Sequence, residues 1–278
     1  MNKKYFSEIV LLTRSYYTEE LECWLKWHLD IIGFDHISLF DNESVIDIPK
    51  IIEKYKDRVS YHYIQGWPDQ HTLYMNYARQ SEAQWLITLD DDEYLYIGPR
   101  YNGSVYSLLE SLYSQYHKNK YYPLWVNMIS KEPMEKREGL FIFSHTCYSY
   151  EAFYSLHRVW GKDNRLGKCF INTDYDYLYG RGLSGHLPEC INGDNTTLLI
   201  NGTETREDFV NNNEINRDCF IAHYHMKSKE DWIRKCEGIS VKAGRPYSDR
   251  SKFLYDRVFK YRSMFQSCYL LRDILFNF

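Results

Sequence analysis

Strand-length apolar runs alternate with helix-length amphipathic segments through the first hundred residues, and that alternation limits the fold more than any single motif does. Glu8 to Thr13 predicts a strand. Thr18 is placed to cap a helix with Glu19 and Glu20 in its positive first turn, and Leu21, Trp24, Leu25, His28, Ile31 and Ile32 keep helical spacing until Gly33. His36 to Phe40 predicts the next strand, Asp41-Asn42-Glu43-Ser44 has turn chemistry, and Ile46 to Lys56 predicts a helix. Val59 to Ile64 then reads as a strand, Gln70 to Ala83 as a helix and Trp85 to Leu89 as a fourth strand. A repeated strand and helix unit implies a largely parallel sheet with right-handed crossovers and helices on both faces, whose ligands bind beyond the carboxyl ends of the strands.

The fourth strand runs into Asp90, Asp91, Asp92 and Glu93. Carboxylates clustered at the end of a buried strand are costly unless water, a cation or a basic group compensates them. The acids form a polar island between Leu86-Ile87-Thr88-Leu89 and Tyr94-Leu95-Tyr96-Ile97, which distinguishes them from a solvated charged face. In extended backbone Asp90 and Asp92 share a face and Asp91 points away. Two carboxylates on one face can hold Mg2+ or Mn2+ with positions left for water and phosphate oxygens. A calcium-binding EF-hand loop is excluded, because Tyr94 stands where a further acid is needed and no glycine follows.

With 278 residues, 44% hydrophobic and 26% charged, the chain can bury the core of one enzyme-sized domain. A net charge of -4 gives no basic footprint, so no nucleic-acid partner is expected. No apolar stretch approaches a membrane span and the first residues lead into a strand, so the expected location is cytoplasmic. Seven cysteines, scattered and without a C-x-x-C pair, predict reduced thiols. No G-x-G-x-x-G follows the first strand and no P-loop motif occurs, which leaves phosphate to be handled by metal.

Beyond residue 100 the pattern is less regular. It predicts a helix over Val105 to His117, strands over Tyr122 to Ile129 and Leu140 to Phe143, a strand ending near His225, a helix over Lys229 to Lys242 with Ser228 as its cap, and a helical stretch from Ser248 to Phe278. Apolar and basic residues at helical spacing in that last stretch fit either a docked terminal helix or a peripheral membrane contact.

Several segments together carry a family resemblance. Tyr17-Thr18-Glu19-Glu20-Leu21-Glu22-Cys23-Trp24-Leu25-Lys26-Trp27-His28, then Gly33-Phe34-Asp35-His36-Ile37 and Asp41-Asn42-Glu43-Ser44, resemble the opening of glycosyltransferase family 2-like and family 92 enzymes. Gln70, Asn76 and Trp85 continue the match, Leu89-Asp90-Asp91-Asp92-Glu93-Tyr94 is similar to the family's D-x-D-E-F, and His223-Tyr224-His225-Met226-Lys227-Ser228 with Lys235 and Gly238 resembles its H-Y-x-x-K-S segment. Cys23 departs from the acid usual before the tryptophan, and the acceptor-choosing middle of the chain matches poorly.

The resemblance implies a GT-A type, Rossmann-like mixed α/β sheet flanked by helices. Residues 1–245 would form the glycosyltransferase domain, with 1–100 as the nucleotide-sugar half and 101–245 as the acceptor half, and 246–278 would be a helical extension. It implies metal-dependent, inverting transfer of a hexose from a nucleotide-sugar, UDP-linked in the first instance, to a glycan or lipid-linked acceptor in polysaccharide biosynthesis. Asp92 would ligate Mn2+ or Mg2+ directly, Asp90 would reach the ribose or the metal through water, Asp91 would add to the donor site, and Glu93 would orient the others. Thr13, Arg14 and Asp41 would lie near the nucleoside. His223, or His225, would complete the metal shell, and Lys227 would face the leaving diphosphate, with Lys235 in a similar part.

The general base is not singled out by the residues; Glu151, Asp174, Asp176 and Glu189 all qualify, and Glu189 is favoured because Gly185-His186-Leu187-Pro188-Glu189 resembles an element of relatives. Trp67, Trp125, Tyr148 and Trp160 could stack on a sugar or serve the core. Two other classes stay open: a nucleotidyltransferase or related phosphate-handling enzyme, and a non-catalytic carbohydrate-binding protein with a relic site.

Overall fold

The computed structural model describes residues 3–66, 68–130, 134–136, 139–140, 145–147, 166–178, 186–206, 218–224 and 227–243. Trp67, Tyr148, Glu151, Trp160, His225, the expected strand residues 141–143 and the terminal stretch 248–278 lie outside them. The chain divides into two compact units, residues 1–125 with 165–221, and residues 126–164 with 222–278.

The first unit is built on β1 (Tyr5–Thr13), β2 (His36–Asp41), β3 (Val59–Tyr63) and β4 (Ala83–Leu89). These four strands pair in parallel in the spatial order β3-β2-β1-β4. Ile9, Val10 and Leu11 of β1 and Leu86, Ile87 and Leu89 of β4 are fully buried, which is why these runs read as continuous apolar stretches. Beyond β4 the sheet turns mixed. β9 (Phe170–Asn172) inserts antiparallel between β4 and β6 (Lys120–Tyr122), and β12 (Thr197–Leu199) and β13 (Glu204–Thr205) complete eight strands. The expected single strand over Tyr122 to Ile129 is thus two: β6, then β7 (Trp125–Ser130), separated by Pro123, whose ring has no N–H for a ladder.

The helices pack as their apolar periodicity requires, with corrected ends. α1 (Thr18–Lys26) continues through a π-helical turn, Trp27–Ile31, and stops at Gly33, whose φ of +82° belongs to the left-handed region. Thr18 is the first helical residue and not the cap; Tyr17 occupies that position and makes no side-chain capping bond. α2 (Ile48–Ile52) is capped by Asp47 and tightens into a 3-10 turn, Glu53–Tyr55. α3 (Gln70–Ala78) is shorter than its expected extent to Ala83, because Ala83 begins β4 and the intervening residues turn the chain. α4 (Val105–Tyr116) ends on His117 at φ 51°.

In the second unit β7 pairs antiparallel with β8 (His145–Cys147), taking Met128 to Ser130 as partners of Cys147 to His145. β14 (Cys219–His223) carries the chain from the first unit into the second, and α5 (Lys229–Ala243) follows. Ser228 caps α5 as expected, its Oγ accepting from the Asp231 N–H at 3.1 Å while donating to Asp231 Oδ2 at 2.6 Å.

A buried polar network ties the near end of the sheet. Glu8 on β1 accepts from His36 Nδ1 at 2.8 Å, Ser38 Oγ at 2.8 Å, Tyr77 OH at 2.6 Å and Ser81 Oγ at 2.6 Å. Burial would raise the Glu8 pKa, but the His36, Ser81, Tyr77 and Ser38 hydrogen bonds outweigh it and the pKa falls below the ordinary glutamate value. Its stabilisation is therefore full above that ordinary value and is lost as pH falls through the lower folded value. Glu8→Ala, which strands four donors, is expected to lose about 3–5 kcal/mol in urea unfolding at neutral pH, with the difference from wild type shrinking in the acid range.

Candidate active site

The acids at the end of β4 form a β-turn and not an extended run. The Glu93 N–H donates to the Asp90 carbonyl at 3.1 Å, closing the four residues before β5 (Glu93–Ile97) begins. The strand-type alternation expected for Asp90, Asp91 and Asp92 therefore does not apply. The turn also caps itself, because Glu93 Oε2 accepts from the Asp90 N–H at 2.9 Å.

Each acid has a distinct environment. Asp91 Oδ2 accepts from Thr13 Oγ1 at 2.6 Å and Ser15 Oγ at 3.0 Å, which fastens the turn to the segment leaving β1. Asp90 Oδ2 accepts from Lys168 Nζ at 3.1 Å, and its Oδ1 lies 3.5 Å from Gln70 Nε2. Glu93 is fully buried, 3.5 Å from Lys168 Nζ through Oε2, while its Oε1 has no hydrogen-bond partner among the described residues. Asp92 is buried as well.

Lys168 is the residue that sequence reasoning missed. Its side chain is 4% exposed, deep for an ammonium. The antiparallel register pairs Ile87 with Phe170 and Trp85 with Asn172, and continued two residues it sets Lys168 opposite Leu89, beside the acid turn. Gly167 permits this approach: a Cβ there would stand 2.1 Å from the Pro123 carbonyl oxygen. Burial disfavours the Lys168 cation, but Asp90 and then Glu93 outweigh it and its pKa is raised. Burial drives the Glu93 pKa well above the ordinary carboxylate range; Lys168 pulls it back, and Asp90 and Asp92 push it further up. Of the two carboxylates, Asp90 is the closer to the ammonium, at 3.1 Å against 3.5 Å, and the more exposed.

Two rings close over Lys168. Its Nζ is 5.9 Å from the Trp125 ring centroid, and His186 packs edge-on against Trp125 at 4.7 Å. Burial, with Lys168 next, lowers the His186 pKa to about 3, so its imidazole is neutral near the acid turn. Within the Gly185-to-Glu189 element it is thus His186 that comes to the site. Glu189 is exposed on the two-residue ribbon formed by β10 (Tyr177–Leu178) and β11 (Glu189–Cys190), and no hydrogen bond or ion pair joins it to the acids among the described residues. Asp174 sits 3.8 Å from Lys3, and Asp176 accepts from Asn192 Nδ2 at 3.3 Å, both away from the turn.

The loops after β1 and β2 are knitted together. Arg14 Nε donates to the Asn42 carbonyl at 2.7 Å, and Arg14 Nη2 pairs with Glu43 Oε2 at 2.7 Å. Asp41 accepts from the Ser44 N–H and from Tyr61 OH, both at 2.8 Å, and Ser44 Oγ accepts from the Ser15 N–H at 2.8 Å. Glu43 holds φ 58°, a left-handed conformation uncommon for a glutamate. Thr13, Arg14, Asp41 and the acid turn thus share the carboxyl-end rim of the parallel strands. A separate cavity of about 400 Å3 between β2 and α3, lined by Phe40, Leu73, Asn76 and Tyr77 among others, shares no residue with the turn.

α1 supports the strand that leaves the turn. Trp24 Nε1 donates to the Glu93 carbonyl at 2.8 Å, Trp27 Nε1 to the Leu95 carbonyl at 2.8 Å, and the Leu95 N–H to His28 Nε2 at 3.2 Å. His28 Nδ1 lies 2.9 Å from the Trp24 carbonyl, so the tautomer carries its proton on Nδ1, and burial lowers the pKa to about 3. The Trp24, Trp27 and His28 signature is a clamp on β5.

His223 lies buried at the end of β14, and Lys227, half-buried, precedes α5; both belong to the second unit. As for a metal, carboxylate oxygens from Asp90 and Asp92 suit a hard divalent ion, and no group of three or more potential ligands gathers among the described residues. Carboxylate oxygens are the donor type taken by an ion whose other positions are filled by water and phosphate oxygens.

No family model matches the chain, and no curated protein is similar to it at a significant level. Among solved structures it is similar to S. aureus TarS 1-349, at 12% identity and TM-score 0.37 over 92% of this chain and 70% of that one. It is also similar to TarS 1-349 in complex with UDP, at 15% identity and TM-score 0.30, and there it spans 48% of its own length and only 37% of the other chain. The 4-diphosphocytidyl-2C-methyl-D-erythritol synthase of Anaerococcus prevotii is similar at 14% identity and TM-score 0.30, over 61% of this chain and 71% of that one.

Replacing Trp24 by Phe keeps the ring in place and deprives the buried Glu93 carbonyl of its donor. A loss of about 1–3 kcal/mol in chemical denaturation is expected, against little change for a Phe substitution at exposed Tyr63.

Proposed function

We propose that the chain is a GT-A type glycosyltransferase that moves a hexose from a nucleotide-sugar to a glycan or lipid-linked acceptor, with inversion. The observation that carries this reading is the acid turn at the carboxyl end of β4, hydrogen-bonded through Asp91 to the Thr13 and Ser15 hydroxyls that follow the neighbouring strand β1. In open α/β sheets that rim is where ligands sit.

The positions of the rim residues support the following parts. Thr13, Arg14 and Asp41 line the rim where the nucleoside would lie, and the Arg14 to Glu43 ion pair keeps that loop ordered before the donor arrives. Asp92 and Asp90 would hold Mn2+ or Mg2+, and an ion bound there would supply positive charge against the leaving diphosphate. Gln70 and Lys168 fix Asp90 from either oxygen. Trp125 and His186 form an uncharged aromatic wall beside Lys168, suited to excluding water from the donor. The parts assigned to His223, Lys227 and Glu189 rest on the resemblance to the family alone. No helix among the described residues is long and apolar enough to cross a membrane.

A thermal-shift series of UDP-sugars with and without Mn2+ tests the reading. One sugar with metal should raise the melting temperature of the wild type; at a ligand concentration of about 100 times Kd the added stability is about 2.7 kcal/mol. Asp92→Asn should abolish that shift while melting near the wild type without ligand. Release of pyrophosphate from a nucleoside triphosphate, with no UDP-sugar response, would assign the chain to nucleotidyl transfer instead.

A further inference from the structure

Protein groups already engage the acids of the turn. Asp91 is taken by two hydroxyls, and Asp90 and Glu93 share one ammonium. That ammonium is not a mobile surface lysine. It enters through the close Gly167 to Pro123 contact, lies under the Trp125 ring and is 4% exposed. Glu93 Oε1 stays buried with no hydrogen-bond partner among the described residues, so one ammonium does not saturate the cluster.

We propose that Lys168 is the resident counter-cation of the acid turn, holding Asp90 and Glu93 so that a divalent ion binds weakly alone and enters together with the nucleotide diphosphate. The inference rests on the glycosyltransferase reading for the identity of that diphosphate. An ion arriving alone must compete with the ammonium for Asp90 and meets a like charge where the dielectric is low. An ion carried by a diphosphate brings its own oxygen ligands, and the negative charge it carries is attracted by Lys168. A compact ammonium suits this place, since it offsets charge without the fork that would lock both carboxylates bidentately. Lys168 is therefore a positioning residue, acting through Asp90.

Isothermal titration of Mn2+, alone and with saturating UDP, tests this on the full chain. Wild type should bind Mn2+ weakly alone and much more tightly with UDP. Lys168→Met should bind Mn2+ alone at least about tenfold more tightly, because a nearby positive charge is gone and an Asp90 oxygen is released. The gain from UDP should shrink in that variant, and Lys168→Arg should keep the weak binding of the wild type.

Should circular dichroism show Lys168→Met unfolded, Lys168→Gln, which keeps a polar side chain of similar length without the charge, takes its place with the same expected tightening. A folded charge-removing variant at Lys168 that binds Mn2+ alone no more tightly than wild type would overturn the proposal. A tighter metal-alone response with no effect of UDP in any variant would leave the counter-cation standing and remove the nucleotide reading.

Discussion

Compensation of negative charge at the end of β4 is the constraint on which the rest of this molecule depends. Four consecutive carboxylates follow a fully buried strand, and the interior cannot hold them as free charges. The protein meets this with three devices: a hydrogen-bonded turn, hydroxyls from the segment after β1, and a buried lysine from β9's lead-in. The first two come from the parallel half of the sheet and the third from the mixed half, so the full set of contacts needs both.

The support behind the turn follows the same logic. β5 leaves the acids directly, and its backbone groups would be costly if buried without partners. Trp24, Trp27 and His28 supply two donors and an acceptor from one face of α1 and its π-helical continuation. At the start of the π turn His28 Nε2 accepts from the Leu95 N–H while Nδ1 serves the Trp24 carbonyl. A motif that resembles a catalytic family's signature acts here as a brace, holding the carboxylates without touching them.

The parallel half of the fold was legible in the amino-acid order because β1, β2 and β4 are buried on both faces and α1 shows a clear apolar stripe. Their ends were harder to place: Ala83 could extend α3 by propensity, yet strand pairing with Tyr5 recruits it to β4. The turn at Asp90 is not legible in the sequence, since nothing local distinguishes a carboxylate that continues a strand from one in a chain that folds back. Lys168 was hidden for another reason. The strands after β6 are two or three residues long in the first unit, too short to show a period, and the residues that bring Lys168 to Asp90 are set by a long-range antiparallel register. Gly167, the one position whose close approach is obligatory there, looks in sequence like any other loop glycine.

Anomalous diffraction at the manganese edge, from crystals soaked with Mn2+ and UDP, tests the central claim most directly. The account predicts a single strong peak within coordinating distance of Asp92 and Asp90, with the diphosphate against it and Lys168 still beside Asp90. A well-ordered UDP bound elsewhere on the molecule, or a peak away from the turn with the four carboxylates unchanged, would contradict it.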